Sequence, residues 1–209
     1  MARRTKEEAA ATRNSLLDAA ERVFYEKGVS RASLGDIALA AGATRGAIYW
    51  HFKDKADLFG AMLDRVTLPL EGACLAVRAE SAGDPLHSVR SLVREVFRLV
   101  SEDERARRVF EIAMYRIELV VELDLIRERH IQATEGFKRE MSEDIARAAR
   151  LGGVALPVSS EVAALGAFAL MDGLLKAWLL QPAAFGLESA GCGALDVYLR
   201  GLGFEVPSQ

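Results

Sequence analysis

Residues 44–59, TRGAIYWHFKDKADLF, place four aromatic side chains in a row beside three cations. Tyr49, Trp50, His51 and Phe52 are consecutive, whereas a buried helix would space its aromatic residues three or four positions apart. Some of these rings must therefore face outward. Phenol, imidazole and ammonium groups can donate hydrogen bonds to an anion, so we expect this segment to contact a partner outside the chain.

The first turn of the same helix has residue types that suit DNA. Thr44 is predicted as the N-cap residue, followed by Arg45, Gly46 and Ala47. A helical glycine costs about 0.5–1 kcal/mol, so Gly46 indicates that a partner approaches the backbone closely. The free N–H groups of a first turn can bind a phosphate, and Arg45 can donate two hydrogen bonds to a guanine edge.

The aromatic row is expected to divide between DNA and a small core. Tyr49 and His51 are predicted to donate to phosphate oxygens, while Phe52 and Trp50 pack inward or along the edge. The alternative is an aromatic mini-core with solvated lysines around it. The predicted DNA-binding residues are Arg3, Arg4, Ser33, Thr44, Arg45, Gly46, Ala47, Tyr49, His51, Lys53 and Lys55.

Two short helices with a tight turn between them position this surface. Ser33 and Asp36 form a predicted capping box at the start of the first helix. Gly42 ends that helix with a left-handed residue. Ala38 lets the two helices approach, and Ile48 closes the small core between them. This arrangement predicts a helix-turn-helix motif.

The rest of the chain also shows helical periodicity and no strand alternation. We expect an all-α fold, with a three-helix DNA-binding domain at residues 1–54 and a helical ligand-binding and dimerisation domain at 55–209. Pro69 is expected to kink the fourth helix. The predicted helices cover about 8–27, 34–41, 44–51, 55–80, 85–101, 104–113, 115–150, 160–180 and 190–203.

Composition narrows the class of protein. The chain is 51% hydrophobic and 27% charged, as in ordinary globular proteins. Residues 1–56 carry a net charge of +3 and residues 57–209 a net charge of −6, so a polyanion would meet the N-terminal part. The N-terminus lacks the pattern of a secretory signal, and no uninterrupted apolar run reaches ~18 residues. We expect a cytoplasmic protein with no membrane partner.

Several motifs resemble a known family. Residues 1–60 resemble the DNA-binding domain of the TetR family of transcriptional repressors. The stretch GATRGAIYWHFKDKADLF is similar to the AcrR-type branch, whose members repress multidrug efflux pumps, and so is the opening MARRTKEEAAATRNSLLDAAERVFYEKGVS. Beyond residue 60 the resemblance rests on chain length, helix order and short matches such as GDPL at 83–86 and MDGLLKAWLLQP at 171–182.

The resemblance implies a function and a mechanism. A homodimer would place two recognition helices in successive major grooves of a near-palindromic operator. A lipophilic or cationic effector in a C-terminal cavity would shift the fourth helix and release the DNA, which would control an efflux operon. Pro69 departs from the family pattern in that helix. A regulator that responds to a specific metabolite is the alternative.

Candidate effector residues are apolar with soft or aromatic side chains. Asp172 lies in an apolar helix, and a partly buried carboxylate needs a partner, either a cationic effector or an Arg or Lys from a neighbouring helix. The resemblance makes positions 110, 114, 168, 171 and 172 pocket positions; plain core packing is the alternative. The predicted ligand-binding residues are Val96, Phe110, Met114, Phe137, Met141, Phe168, Met171 and Asp172.

The last two helices have features of a dimer interface. The first of them has small residues that allow another helix to approach, and the second has an apolar stripe. Two helices from each subunit would form a four-helix bundle; burial within one chain is the alternative. The predicted dimerisation residues are Ala163, Ala167, Leu170, Leu174, Leu195, Tyr198, Leu199 and Leu202.

Other chemistries lack the residues that they need. The three histidines have no metal-ligand spacing, and no nucleophile or phosphate-loop motif occurs. We expect no cofactor, no metal and no catalytic residue. A helical enzyme with a DNA-binding appendage would need a polar catalytic cluster, and a DNA-packaging protein would need a basic chain, whereas the pI is about 5.7. Cys74 and Cys192 could serve as a redox sensor only with lowered pKa values.

Overall fold

The computed structural model describes residues 2–81, 83–116 and 124–206. Within these residues the chain forms nine α-helices and no strand, which confirms the all-α prediction. The helices are α1 (Ala2–Lys27), α2 (Leu34–Ala40), α3 (Arg45–His51), α4 (Lys55–Glu80), α5 (Pro85–Glu102), α6 (Glu104–Tyr115), α7 (Asp124–Gly152), α8 (Ser160–Leu180) and α9 (Leu187–Gly201).

Predicted caps fix several helix ends. Ser33 and Asp36 form the full capping box, in which the backbone N–H of Asp36 donates to Ser33 Oγ at 3.1 Å. Hydrogen bonds from Ser33 and Lys27 lower the pKa of Asp36 to about 2. Thr44 Oγ1 accepts from the backbone of Ala47 at 3.1 Å, so the local sequence determines where α2 and α3 begin.

One predicted helix starts in the wrong place. Tyr115 belongs to α6, Arg116 follows in a bend, and the next described helix begins at Asp124. The carbonyl of Arg116 accepts a hydrogen bond from the backbone N–H of Val29 at 3.0 Å. This long-range contact ties down the end of α6, and helical periodicity cannot reveal it. Residues 117–123 of the predicted helix lie outside the described part of the chain.

Helix α4 continues through Pro69. Proline removes one backbone donor and crowds the preceding turn, which was the reason to expect a kink. The helical assignment nevertheless runs unbroken from Lys55 to Glu80. The predicted extent of α4 is therefore confirmed, and the kink at Pro69 stays a prediction.

The described chain forms two compact units. The first contains residues 2–68, 105–116 and 124–129. The rings of Phe24 on α1 and Phe59 on α4 meet edge to face with centroids 5.6 Å apart, and the core of this unit also includes Leu16, Leu17, Ala20 and Val23 of α1. Helix α4 belongs to both units, which divide at Pro69. The division at residue 54 stays a prediction about function.

The second unit contains residues 69–81, 83–104 and 130–206. Helix α9 packs against both α5 and α8. Arg90 on α5 donates two hydrogen bonds to the buried carboxylate of Asp196 on α9, at 2.8 and 2.9 Å. Bidentate pairs of this kind have a defined geometry, so this one fixes the register between the two helices.

Helix α8 is apolar enough, by length and composition alone, to cross a membrane. Its most apolar 18-residue window has a mean hydropathy of 1.5, and 39% of that window is buried inside the chain. The core helix of a soluble protein has the same composition. Here Met171 and Leu175 are buried in the second unit, while Val162 and Leu165 are each 53% exposed. Val162 and Leu165 therefore lie on the side of α8 that is exposed in the single chain.

The turn between α2 and α3 gives a stability prediction. Gly42 has φ +66°, a conformation that costs a residue with a Cβ roughly 1–2 kcal/mol. Gly42→Ala should lower the free energy of unfolding by about that amount in urea titrations. The matched control is Gly72→Ala on α4, where a Cβ meets open space and φ is not positive. Equal stability for both variants would contradict the prediction.

Candidate nucleic-acid interface

Two buried side chains anchor α3. Ile48 is fully buried and Phe52 is 2% exposed, and both pack into the core of the first unit. A helix of seven residues is too short to be stable alone, so this burial holds it in place. Ile48 is the buried residue of the helix itself, and Phe52 is the extended C-cap residue after it, whose backbone N–H donates to the Ile48 carbonyl at 2.9 Å. The opposite face of α3 is consequently turned to solvent.

The exposed face of α3 presents a guanidinium and a phenol. Arg45 and Gly46 are exposed, and Tyr49 is 51% exposed. The guanidinium of Arg45 lies 5.9 Å from the centroid of the Tyr49 ring. An exposed cation–π contact is worth only about 0.5–1 kcal/mol, so Arg45 can leave this position for a stronger bidentate hydrogen bond.

Trp50 points outward, so of the two predicted positions, inward or along the edge, the inward one is wrong. Its side chain is 73% exposed, and it meets the ring of His51 edge to face with centroids 4.5 Å apart. Ile48 is the buried residue of α3, and Phe52 reaches the core from the extended C-cap position after it. Trp50 is two residues from Ile48, about 200° around the helix, so it falls on the other side. Its large exposed ring belongs to the candidate interface.

His51 is the last residue of α3, and the charge of Arg13, a residue of α1, acts on it. Burial, followed by the charge of Arg13, lowers the pKa of His51, so its imidazole is mainly neutral at pH 7. A neutral imidazole still has one N–H to donate. The guanidinium of Arg13 lies 5.2 Å from the centroid of the Phe52 ring. Sequence reasoning missed Arg13 because it belongs to α1 and to no motif.

Two predicted DNA-binding residues have hydrogen-bond partners within the chain. The ammonium of Lys55 donates to the carbonyls of Ser30 and Ala32 at 2.9 and 3.2 Å, so it stabilises the loop before α2. The hydroxyl of Ser33 donates to Asp36 Oδ2 at 2.6 Å, which leaves it no hydrogen for a phosphate. Lys53 is exposed.

Most of the predicted DNA-binding residues thus lie within one short segment, residues 44–53. The side chains of Arg3 and Arg4 lie outside the described part of the structure. Along α3 and the residues that flank it, one continuous surface remains. It consists of Thr44, Arg45, Gly46, Ala47, Tyr49, Trp50, His51 and Lys53, and we call it the α3 surface.

The predicted ligand-binding residues divide between the two units. Phe110 and Met114 lie on α6 in the first unit and are half-buried. In the second unit, the rings of Phe137 and Phe168 have centroids 6.2 Å apart, and the ammonium of Lys138 lies 5.6 Å from the Phe168 centroid. The remaining apolar members, Val96, Met141 and Met171, are buried.

Asp172 has a partner on its own helix. Lys176, four residues later on α8, donates to Asp172 Oδ2 at 2.7 Å. The Asp172 side chain is 31% exposed. The expectation of an Arg or Lys from a neighbouring helix is therefore wrong, because the lysine comes from α8 itself. The carboxylate therefore needs no cationic effector to balance its charge.

Two grooves lie along α7 in the second unit. The larger, about 730 Å³, runs between α7 and the start of α8, and the smaller, about 560 Å³, lies under the loop that joins them. Charged side chains such as Arg139, Glu143 and Arg150 line the larger groove. Small-molecule sites are usually apolar, and none of the predicted ligand-binding residues lines either groove.

Most predicted dimerisation residues are internal, which corrects their assignment. Ala163, Ala167, Leu195, Leu199 and Leu202 are at most 6% exposed within one chain, because α8 and α9 pack on each other and on the body of the second unit. The hydroxyl of Tyr198 donates to the Ala163 carbonyl at 2.9 Å, and Leu170 and Leu174 are half-buried.

The described residues support neither a metal site nor a redox-sensing cysteine. They contain no group of three or more His, Cys, Asp or Glu side chains that could hold a metal ion. Cys74 and Cys192 are free and buried. Burial raises the pKa of the Cys74 thiol to about 11 and also raises that of Cys192, so neither forms the thiolate that redox sensing requires.

Sequence comparison identifies the family. The profile for "Bacterial regulatory proteins, tetR family" matches residues 16–62, which include α2 and α3. A second profile, for the C-terminal region of MAATS-type transcriptional repressors, matches residues 84–204. The chain belongs to the tetR family of bacterial regulatory proteins. It is a DNA-binding transcriptional regulator and not an enzyme, as expected.

Individual relatives support this membership over nearly the whole chain. The chain is 41% identical over 182 residues to "HTH-type transcriptional regulator TtgR" of Pseudomonas putida, and the match covers 87% of each chain. NalD, the secondary repressor of the MexAB-OprM multidrug efflux pump of Pseudomonas aeruginosa, has a solved structure that is 37% identical. It superposes with a TM-score of 0.83 and covers 94% of this chain and 98% of NalD.

A third relative was solved with a bound compound. The SmeT–triclosan complex is 33% identical to this chain, with a TM-score of 0.81, and the match covers 95% of this chain and 96% of that one. SmeT is the repressor of the Stenotrophomonas maltophilia multidrug efflux pump SmeDEF. These tetR-family structures have the same helical architecture as the fold described above.

The two lysines beside α3 should behave differently. Lys55→Ala should lower the free energy of unfolding by roughly 1–3 kcal/mol, because two loop carbonyls lose a charged donor. Lys53→Ala should leave stability unchanged and reduce the salt slope of DNA binding by about 1. Urea titration and binding at several salt concentrations check both. A Lys55→Ala variant of full stability with a reduced salt slope would reverse the assignment.

Proposed function

We propose that this protein is a ligand-responsive repressor that controls a multidrug efflux pump operon. As a homodimer in the cytoplasm it binds a near-palindromic operator, and a small lipophilic effector releases it. The observation that carries the proposal is the exposed α3 surface in a chain whose relatives of 33–41% identity include named efflux-pump repressors. The efflux role of those proteins supports the same role here.

The α3 surface supports both parts of operator recognition. Phosphate contacts position a protein on DNA, and contacts to base edges read the sequence. Thr44, Tyr49, His51 and Lys53 have donors for phosphate oxygens. Arg45 has the planar fork that suits the O6 and N7 atoms of guanine. Gly46 adds no side chain between the helix backbone and the groove.

Arg45 gives the sharpest test of operator reading. DNA upstream of this gene should shift in a gel at lower protein concentration than scrambled DNA. Arg45→Ala should lose about 1–3 kcal/mol of discrimination at one base pair of the site. Lys53→Ala is the control, because it should weaken binding to all sequences alike. An unchanged base preference in Arg45→Ala would remove this residue from base reading.

The apolar and charged side chains of the second unit indicate the chemical class of the effector. The paired rings of Phe137 and Phe168 and the buried methionines favour lipophilic compounds. Asp172, the carboxylate that would have favoured a cation, is already paired with Lys176. We therefore propose that effectors bind through apolar contact and need no positive charge. The triclosan complex of SmeT supports a lipophilic effector.

Effector release can be measured on the same gel. Triclosan and a panel of pump substrates, both neutral and cationic, should be titrated against the protein–operator complex. Asp172→Asn should respond to each compound as the wild type does, because the carboxylate serves Lys176 and not the effector. Loss of the response to cations alone in this variant would restore Asp172 as a ligand contact.

The proposed dimer surface is the exposed side of α8 and α9. Val162 and Leu165 are each 53% exposed, Leu180 is 66% and Val197 is 67% exposed. On α8 these residues recur with helical spacing, together with the small exposed Ala169 and Gly173. A continuous apolar stripe of this kind marks an interaction surface. A second copy with the same stripe would form a four-helix bundle.

A charge on this stripe should separate the subunits. Light scattering should give wild-type protein twice the chain mass of 22.8 kDa, and Leu165→Asp should give the single chain mass. The control is Leu151→Asp, at a leucine that is 73% exposed but lies at the end of α7. A dimeric Leu165→Asp variant would rule out this stripe as the interface.

A further inference from the structure

Most charges that line the larger groove are neutralised within the chain. The groove lies between the C-terminal part of α7 and the start of α8, inside the second unit. Seven charged side chains line it, and four of them have a partner of opposite charge. These pairs are Glu135–Lys138 at 2.5 Å, Glu143–Arg78 at 2.8 Å and Arg147–Asp144 at 3.2 Å. Three charged side chains of the groove remain.

Arg139, Arg150 and Glu161 are these three residues, and we call them the groove charges. All are exposed, and no ion pair or hydrogen bond joins either arginine side chain to another described residue. Hydrogen bonds from the backbone and from serine hydroxyls at the start of α8 lower the pKa of Glu161. Its carboxylate is therefore charged at pH 7, and none of those donors is a cation.

The groove adjoins the proposed dimer surface. Leu165 lines the groove and also belongs to the exposed apolar stripe of α8, as does Val162. Glu161 directly precedes Val162 in the first turn of α8. A second copy that packs on this stripe therefore reaches the groove. Interfaces have an apolar centre and a polar rim, and the groove charges occupy the position of such a rim.

The two arginines suit a protein surface better than a small anion. Arg139 and Arg150 are eleven residues apart on α7, which is three helical turns, so they lie on one face. Their Cα atoms are about 16.5 Å apart along the helix axis. Ala146 lines the groove between them. A small anion could meet only one of these guanidinium groups, whereas a protein surface laid along α7 meets both.

The signs of the groove charges fit self-association. In a two-fold symmetric dimer each subunit presents the same surface, so a residue that contacts a second residue across the interface is contacted in return. A surface with unpaired cations alone would repel its own copy. Because the groove has unpaired arginines and an unpaired glutamate, a second copy can satisfy both signs at once.

We propose that the groove charges form ion pairs between subunits, in which Arg139 and Arg150 of one copy meet Glu161 of the partner subunit, and that these pairs select a second copy of this chain. This inference rests on the proposed function, because it needs the dimer. The apolar stripe attracts any similar stripe, whereas like charges placed opposite each other reject a chain with a different pattern.

Charge reversal tests the pairs. Glu161→Arg sets cations against cations in its own homodimer, and the double variant Arg139→Glu with Arg150→Glu sets carboxylates against carboxylates. The dissociation constant of each homodimer, from light scattering at several concentrations, should rise by about tenfold or more, because like charges repel across the interface. Glu26→Arg is the matched control: it makes the same change of charge at an exposed position of α1 and should dimerise as the wild type does.

Mixing the two reversed variants shows whether the pairs lie between subunits. In the mixed dimer every reversed charge meets its opposite, so native mass spectrometry, which resolves the three dimers by mass, should find mainly the mixed dimer. Wild type mixed with Glu26→Arg should instead give statistical proportions. Homodimers of wild-type affinity, statistical proportions in the reversed mixture, or variants that stay monomeric when mixed would each overturn the proposal and leave the dimer through α8 and α9 standing.

A milder variant guards against misfolding. Glu161→Arg places a cation at the start of α8, where the helix dipole disfavours it, so its unfolding in urea is followed in parallel. Glu161→Gln removes the charge only. The wild-type dimer should weaken as salt rises, because salt screens ion pairs, and Glu161→Gln should reduce that dependence. An unchanged salt dependence would overturn the proposal, whereas a wild-type protein that is monomeric throughout would refute the dimer of the proposed function itself.

Discussion

The burial of Ile48 and Phe52 is the constraint on which the DNA-binding surface depends. A seven-residue helix has no stability of its own, so these two side chains hold α3 against α1 and α2. Once Ile48 faces inward, the helical period determines which residues of α3 face out. The outward position of Arg45, Tyr49 and Trp50 is a consequence of that burial. Gly42, with its positive φ, allows the sharp turn between α2 and α3 that this burial requires.

Much of this could be predicted from local sequence. The caps at Ser33 and Thr44 and the glycine stop at Gly42 depend on residues within four positions, so the pattern locates them well. Trp50 was misassigned because consecutive aromatic residues do not say which of them the core accommodates. That choice depends on how the inner face of α3 packs against α1 and α2.

Contacts between residues far apart in the sequence could not be predicted from local patterns. Lys55 resembles a DNA-binding lysine in sequence, yet it donates to loop carbonyls more than twenty residues earlier. Helix α6 ends at Tyr115 because Arg116 bonds to the turn after α1. The small residues of α8 and the apolar stripe of α9 do predict close helix packing. Periodicity could not decide which side packs within the chain and which side remains for a partner.

The central claim is that the α3 surface contacts DNA, and tryptophan quenching tests it directly. The chain has two tryptophans, of which Trp50 is 73% exposed and Trp178 is 5% exposed. Acrylamide should quench one emitting population in the free protein, and selected operator DNA should protect it. Trp50→Phe should abolish both the quenching and the protection. Quenching of Trp50 that is unchanged when DNA is fully bound would contradict this account.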